Sequence, residues 1–241
     1  MLPANFRSRL DLGASTERDS RDKGPFVTSK AFILGLFFAA FIGGGVSYTT
    51  LYLQGSFMAL GFSTVGAVFL LFLLAGAVNP LVKSIKPRWA LQQGELLLVY
   101  IMMVMASPIP VIFTSRVLSQ LSAPFYYASQ ENEWHSLIHP HIPGWMMPRL
   151  PDAGKAFFEG MGGQYQVPWK IWLPVILAWQ PFVWALFVVM IAAMVILRRQ
   201  WVENERLAYP LVQVPLAMTD LGEDGERVPP FFKNSVMWAG F

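Results

Sequence analysis

The residue types most capable of chemistry in this sequence lie between positions 131 and 141. Glu131, His135 and His139 are spaced by four residues, and His141 follows Pro140. A carboxylate and imidazoles at this spacing share one face of a helix and could hold a zinc ion. Because the proline ends such a helix, the sequence favours a solvated amphipathic loop over a metal site. We therefore expect neither a metal nor a cofactor.

Motifs for covalent catalysis are missing from the sequence. The chain has no cysteine, which excludes a disulfide framework, a thiolate metal site and a cysteine nucleophile. It has no phosphate-binding loop of the GxxxxGK[ST] type, no GxSxG turn and no HExxH helix. We expect that the protein is not an enzyme.

A proline pair interrupts one of the apolar runs. Ser107-Pro108-Ile109-Pro110 removes two backbone donors and disfavours helical geometry before each proline, which predicts a break or a sharp kink. Broken helices at membrane depth line substrate cavities in transporters, and a kinked structural helix is the alternative. Arg116 follows on the outer half, where it either snorkels to the interface or points inward at an anionic group.

Further candidates for a solute path lie towards the C-terminus. Gln180 is a polar side chain inside an apolar run that Pro174 and Pro181 interrupt, and a hydrogen bond between helices is its default role. Tyr209 and Gln213 belong to an apolar block from Glu203 to Met218, which we expect as an interfacial or re-entrant cytoplasmic segment or as a packing linker. Its two prolines argue against one continuous helix. The candidate path residues are Ser107, Pro108, Pro110, Arg116, Gln180, Tyr209 and Gln213.

The elements that must position these residues are apolar and long. The chain has 241 residues, of which 54% are hydrophobic and 14% charged, against about 25% charged in globular proteins. Four runs contain no Asp, Glu, Lys, Arg or His: Ala31 to Tyr52, Phe57 to Val78, Leu96 to Phe113 and Ile171 to Leu197. A bilayer needs about 20 apolar residues per helical span. We expect an all-α polytopic membrane protein with about four spans, the third of them broken by proline.

The distribution of positive charge predicts the orientation. Counted loop by loop, 14 Lys and Arg lie on the side of the N-terminal tail and 4 on the other side. The positive-inside rule then places both termini in the cytoplasm, in the inner (plasma) membrane. A basic balance arranged around apolar runs indicates contact with the lipid bilayer and no nucleic acid.

These runs divide the chain into eight segments. They are a charged cytoplasmic tail (1–30), a hairpin of the first two spans (31–82), a cytoplasmic loop (83–95), the broken third span (96–123), an outer loop (124–170), the fourth span (171–197), a cytoplasmic interfacial segment (198–233) and the start of a fifth span that is cut off (234–241). In the first span Gly35, Ala39 and Gly43 form a stripe that favours close helix packing over a local unwinding.

Several ordered strings resemble a known family. They are Asn79-Pro80, the run Lys86 to Leu91, Gly94-Glu95-Leu96, the run Ala123 to Ala128, and the block Glu205 to Gln213, which reads ERLAYPLVQ. They resemble the N-terminal part of an uncharacterised bacterial multi-pass membrane family related to the oligopeptide transporter (OPT) superfamily. The resemblance implies transport of peptides or related small solutes and assigns no substrate residue.

Two functions follow as expectations. The first is part of an OPT-like secondary permease that is incomplete as a single chain, and that works with missing C-terminal spans, as a homo-oligomer or with other membrane subunits. A permease of this type needs two repeats around a midplane site. The second is a non-transporting membrane scaffold, or an accessory subunit of a larger complex, that packs through its Gly and Ala stripe.

Overall fold

The secondary structure is helical, as the sequence predicts. The computed structural model describes residues 27–55, 64–109, 112, 116–148, 151–160, 167–205, 209–222 and 226–240, and within them it has no β-strand. The α-helices are α1 (Ser29–Ser47), α2 (Val65–Leu73), α3 (Asn79–Ile85), α4 (Gln93–Ala106), α5 (Leu118–Tyr126), α6 (Trp134–Leu137), α7 (Pro151–Phe158), α8 (Trp169–Arg199), α9 (Pro210–Thr219), α10 (Pro230–Lys233) and α11 (Ser235–Gly240).

The chain forms two compact units. The first comprises residues 1–111 and 209–241, and the second comprises residues 112–208. Among the described residues three helices are long and apolar enough to cross a membrane: Ser29–Thr50, Val65–Ile85 and Trp169–Val202. Two of these belong to the first unit and one to the second. The sequence predicts about four spans, and the structure shows three candidate spans and one shorter apolar helix, α4, of 14 residues.

The second apolar helix extends further along the sequence than the predicted apolar run. Its described part runs from Val65 to Ile85, and residues 57–63 of the predicted run lie outside the described residues. A π-helical turn at Leu74–Val78 joins α2 to α3, with the Asn79 N–H bonded to the Leu74 carbonyl. Pro80 lies in the first turn of α3, and the helix continues through it to Ile85.

The third apolar segment stays helical past Ser107, where the sequence predicts a break: Ser107 has helical dihedral angles (φ −58°, ψ −42°), and residues 108 and 109 are again helical. The helix α4 has 14 residues and ends at Ala106, and Ser107 is its C-cap. The next α-helix whose bounds the structure describes begins at Leu118. Pro110, the second proline of the predicted break, lies outside the described residues.

The helices α1 and α4 pack side by side in the same direction. Gly35 is buried against α4, where a Cβ atom would clash with the Met102 sulfur. The stripe of Gly and Ala residues on α1 is therefore used for packing at Gly35. A Cβ atom added at Gly43 or Gly44, near the other end of α1, would meet no other atom within 4 Å. The buried core on which α1 and α4 pack includes Leu71, Leu96, Val99 and Met103.

The C-terminal segment of the first unit packs back onto this bundle. The helix α9 buries Pro215, Met218 and Thr219. Further on, the Phe232 ring fills the space above Gly76, where a Cβ atom would lie 2.5 Å from the ring. The apolar surface of α9 is buried only in part, since Met218 is buried while Leu211, Val212, Val214 and Leu216 are exposed.

The expectation that prolines divide the helices is wrong in two places. α9 is continuous from Pro210 to Thr219, because Pro210 occupies the first turn, where no intrahelical donor is needed, and only Pro215 removes one. α8 is continuous through Pro174 and Pro181 for 31 residues. Each of these prolines removes a single bond, and the i→i−4 bonds on either side keep the helix intact.

We predict that Gly35→Leu destabilises the protein while Gly44→Leu does not. A leucine at position 35 must displace Met102, and overpacking of this kind lowers the free energy of unfolding by about 1–3 kcal/mol. Gly44 is the matched control, since it lies on the same helix in open space. The measurement is the thermal unfolding midpoint of the detergent-solubilised protein, and equal midpoints for the two variants would contradict the packing of α1 on α4.

Candidate functional site

A buried carboxylate joins the beginnings of α1 and α4. Glu95 is 2% exposed, and its Oε2 lies 3.1 Å from the Lys30 Nζ and accepts the Gln92 N–H at 2.8 Å. Its Oε1 accepts the Thr28 hydroxyl at 2.5 Å. Lys30 also donates to the Ala90 carbonyl at 3.0 Å. Every charge in this group is therefore compensated, as burial requires.

The same end of the bundle holds a buried amide. Asn79 is 3% exposed, and its side chain donates to the Leu91 carbonyl at 3.0 Å and accepts the Leu91 N–H at 2.7 Å. The amide thus replaces the partners that Leu91 would have in a regular helix. We call Thr28, Lys30, Asn79, Leu91, Gln92 and Glu95 the polar junction.

The polar junction ties together three apolar segments of the first unit. Thr28 caps α1 by accepting the Ala31 N–H at 3.3 Å, and Glu95 forms a capping box with Gln92 at the start of α4. Asn79 joins the C-terminal part of the helix Val65–Ile85 to Leu91, just before α4. Neither Asn79 nor Glu95 is among the candidate functional residues that the sequence predicts. An Asn next to proline at the end of an apolar run, and a Glu just before the next run, were the signals available.

Ser107, where the sequence predicts the break, is hydrogen-bonded within its own helix. Ser107 is 1% exposed, and its hydroxyl donates to the Met103 carbonyl at 2.8 Å. Pro108 is exposed. The hydroxyl of Ser107 is thus satisfied within α4 and offers no free polar group at this position.

The predicted path residues of α9 lie on its exposed face. Tyr209 is the N-cap of α9 and is 37% exposed, and Gln213 is exposed one turn later. The opposite face packs on the bundle. An open depression of about 310 Å³ lies between α9 and α10, and it is lined by Ala217, Asp220, Pro230, Phe231 and Asn234. It does not include Tyr209 or Gln213.

The remaining path candidates belong to the second unit. Arg116 is exposed in a π-helical turn before α5, and Gln180 is half-buried in α8. The structure brings Tyr209 and Gln213 within one turn of each other on α9. Ser107 belongs to the same unit as this pair, at the end of a different helix.

The histidine cluster of the second unit is engaged in packing. The ring of His139 stacks on Phe125 at 4.4 Å between centroids, and its Nε2 lies 2.9 Å from the Pro124 carbonyl oxygen. His135 meets His139 edge-on at 4.8 Å, while Glu131 and His141 are exposed. In the part of the chain that the structure describes, no three His, Asp or Glu side chains are grouped as metal ligands.

An exposed hydrogen bond links α5 to the end of α7. The Tyr126 hydroxyl donates to the Glu159 carboxylate at 3.1 Å, and this bond raises the pKa of Tyr126 above its ordinary value. Since the ionised phenol could not donate to the carboxylate, the bond is present at neutral pH and is lost as the pH rises through the raised pKa. The Tyr126 ring also packs on Phe158 at 4.7 Å.

The fold and the polar junction together describe a bundle of apolar helices tied at one end by paired polar groups. Comparison with protein families gives a match over residues 21–241, and the chain belongs to the family of unknown function DUF6785. A search of the curated proteins finds no match, and a search of the solved structures finds none either.

We predict that Asn79→Ala lowers stability far more than Asn234→Ala. The first change leaves the buried N–H and C=O of Leu91 without partners, at about 1–3 kcal/mol for each group. The second removes an exposed hydrogen bond to the Val236 N–H, for which about 1 kcal/mol is typical. Thermal unfolding of both variants in detergent measures the difference, and a loss for Asn79→Ala no larger than for Asn234→Ala would refute the structural role of this amide.

Proposed function

We propose that this chain spans the inner membrane of a bacterium with both termini in the cytoplasm, as part of an OPT-like secondary permease for peptides or related small solutes. The activity is movement of a solute without a covalent step, so it needs neither an enzyme site nor a cofactor. Support comes from the sequence resemblance, from the count of positive charges and from the long apolar helices.

The observation that carries the permease proposal is the position of the proline pair that follows α4. From Glu95 to Ser107 the helix rises about 18 Å, so Pro108 falls within the roughly 30 Å hydrocarbon core. Its parallel neighbour α1 continues through a π-helical turn to Tyr52, about 36 Å in all. Proline removes a backbone donor at this depth. Proline-interrupted apolar segments are pointers to the solute sites of transporters.

Tyr209 and Gln213 are the residues that we assign to the cytoplasmic mouth of the solute path. The helix α9 packs on the bundle through Pro215, Met218 and Thr219 and leaves both of these polar side chains exposed. A phenol and a carboxamide can bond to the backbone groups of a peptide as donors and acceptors. Since alternating access needs two repeats, helices from a second copy or from another subunit complete the path in this proposal.

A membrane scaffold is the second candidate function. Gly43 and Gly44 have open space above them, so that part of the Gly and Ala stripe is not used for packing among the described residues. Small residues of this kind allow another membrane helix to approach closely. In this alternative the chain packs against a larger complex and moves no solute.

We predict the orientation from single cysteines, since the chain has no native one. Cysteine at Ser84 or Gln213 should react with a membrane-impermeant maleimide only from the cytoplasmic side, and cysteine at Ser136 only from the other side. All three positions are exposed, whereas Thr219 is fully buried and would not report. Labelling of Ser84→Cys and Gln213→Cys from opposite sides would rule out this topology.

We predict that the protein, reconstituted in liposomes, accumulates radiolabelled trialanine when inward proton and sodium gradients are imposed. Gln213→Ala and Tyr209→Ala should reduce the initial rate severalfold, because this proposal places both side chains at the mouth of the solute path. Protein content should stay unchanged, because neither side chain belongs to the buried core. Val212→Ala is the matched control, since Val212 is an exposed apolar residue of the same helix.

The outcome decides between the two candidate functions. Accumulation in wild-type liposomes that falls in both variants but not in the control supports the permease. Folded wild-type protein that accumulates no peptide above protein-free liposomes contradicts the permease and favours the scaffold. Uptake that is equal in all variants removes α9 from the solute path.

A further inference from the structure

The helix α8 is too long to lie wholly within a membrane. Its 31 residues from Trp169 to Arg199 extend about 46 Å, whereas the hydrocarbon core is about 30 Å thick. To fit, the helix would have to tilt by roughly 50°, which exceeds the usual range of about 0–40°. Part of α8 therefore lies outside the hydrocarbon, and the contacts of its two ends show which part.

One face of the first three turns of α8 is covered by protein. Trp172 and Val175 are 7% and 4% exposed, and the Trp172 ring lies 5.9 Å from that of Phe157 on α7. One turn beyond Val175, the Trp179 Nε1 donates to the Met146 carbonyl at 2.9 Å. The Trp145 ring lies 6.3 Å from that of Trp179.

The segment that holds Trp179 is irregular and exposed. Residues 142–148 form bends and turns, and Pro143, Gly144 and Trp145 are exposed. Irregular backbone that faces lipid does not occur in the hydrocarbon region, because its N–H and C=O groups would lack partners. Because the Met146 carbonyl is hydrogen-bonded to Trp179, the residues of α8 from Trp169 to Trp179 lie outside the hydrocarbon.

The remainder of α8 has the opposite character. From Pro181 to Arg199 all residues are exposed except Val183 and Phe187, which are half-buried, and no charge occurs before Arg198. This stretch is about 28 Å long, which matches the hydrocarbon thickness. Trp179 and Trp201 flank it, as tryptophans do at the two interfaces.

We propose that the hydrocarbon core covers α8 only between Pro181 and Leu197, with lipid acyl chains as the occupants of its exposed apolar surface. The turns from Trp169 to Gln180 stand outside the core with α7 and the segment 142–148. This inference rests on the proposal that the chain spans a membrane, and it replaces the sequence expectation of a span from Ile171 to Leu197. Gln180 then lies at the interface, where its carboxamide is accessible to water.

The test compares two pairs of single cysteines in membrane vesicles. Leu173→Cys and Leu177→Cys lie in the first three turns, at positions that are 48% and 58% exposed. Leu186→Cys and Met190→Cys lie in the proposed core, at positions that are 50% and 54% exposed, so protein burial is matched between the pairs. The probe is a sulfonated maleimide applied from both sides, and membrane abundance and labelling after denaturation in SDS control for folding and for the presence of the thiol.

We expect Leu173→Cys and Leu177→Cys to label at least about tenfold faster than the other pair, because the reactive thiolate forms only in contact with water. Equally slow labelling at all four positions would overturn this inference and leave the membrane-spanning proposal standing. Equally fast labelling at all four would overturn both, since α8 would then not cross the bilayer.

Discussion

The ion pair between Lys30 and Glu95 is the interaction on which the first unit depends. It sets α1 and α4 in parallel, and the Thr28 hydroxyl, 67 residues before Glu95, binds the same carboxylate. The contact of Gly35 with Met102 has that same offset of 67 residues, so one register runs along both helices. Apolar surfaces alone specify register weakly, since one apolar helix face resembles another. A charge pair that is satisfied in only one arrangement specifies it strongly.

The other members of the polar junction extend this register to the rest of the bundle. Asn79 binds both backbone groups of Leu91, and this fixes where the helix Val65–Ile85 ends relative to the start of α4. Gly76 lies in the π-helical turn before Asn79, and Phe232 packs into the space above it. The packing of Phe232 on Gly76 holds the C-terminal segment, including α9, on the bundle. The positions of Tyr209 and Gln213 on α9 thus depend on the polar junction, although neither residue contacts it.

Aromatic side chains join the helices of the second unit. Trp172, Phe157 and Phe158 join α7 to neighbouring helices, and Trp179 joins α8 to the segment around Met146. An indole suits this role because it combines a large apolar ring with an N–H donor. The fully buried residues of α8, Trp172 and Val175, precede Trp179, and most residues beyond it are exposed. Trp179 thus lies where the contacts of α8 with the rest of the unit become sparse.

Uncharged length acts locally, so the all-α class and the long apolar helices follow from the sequence alone. Which prolines a helix tolerates does not follow from it. Pro174, Pro181 and Pro215 lie inside helices, since each removes one bond that its neighbours compensate. The partners of Asn79 and Glu95 emerge only when the helices pack, because Leu91 and Lys30 are far from them along the chain. Pairing over such distances leaves no periodic signal, since it depends on how whole helices meet.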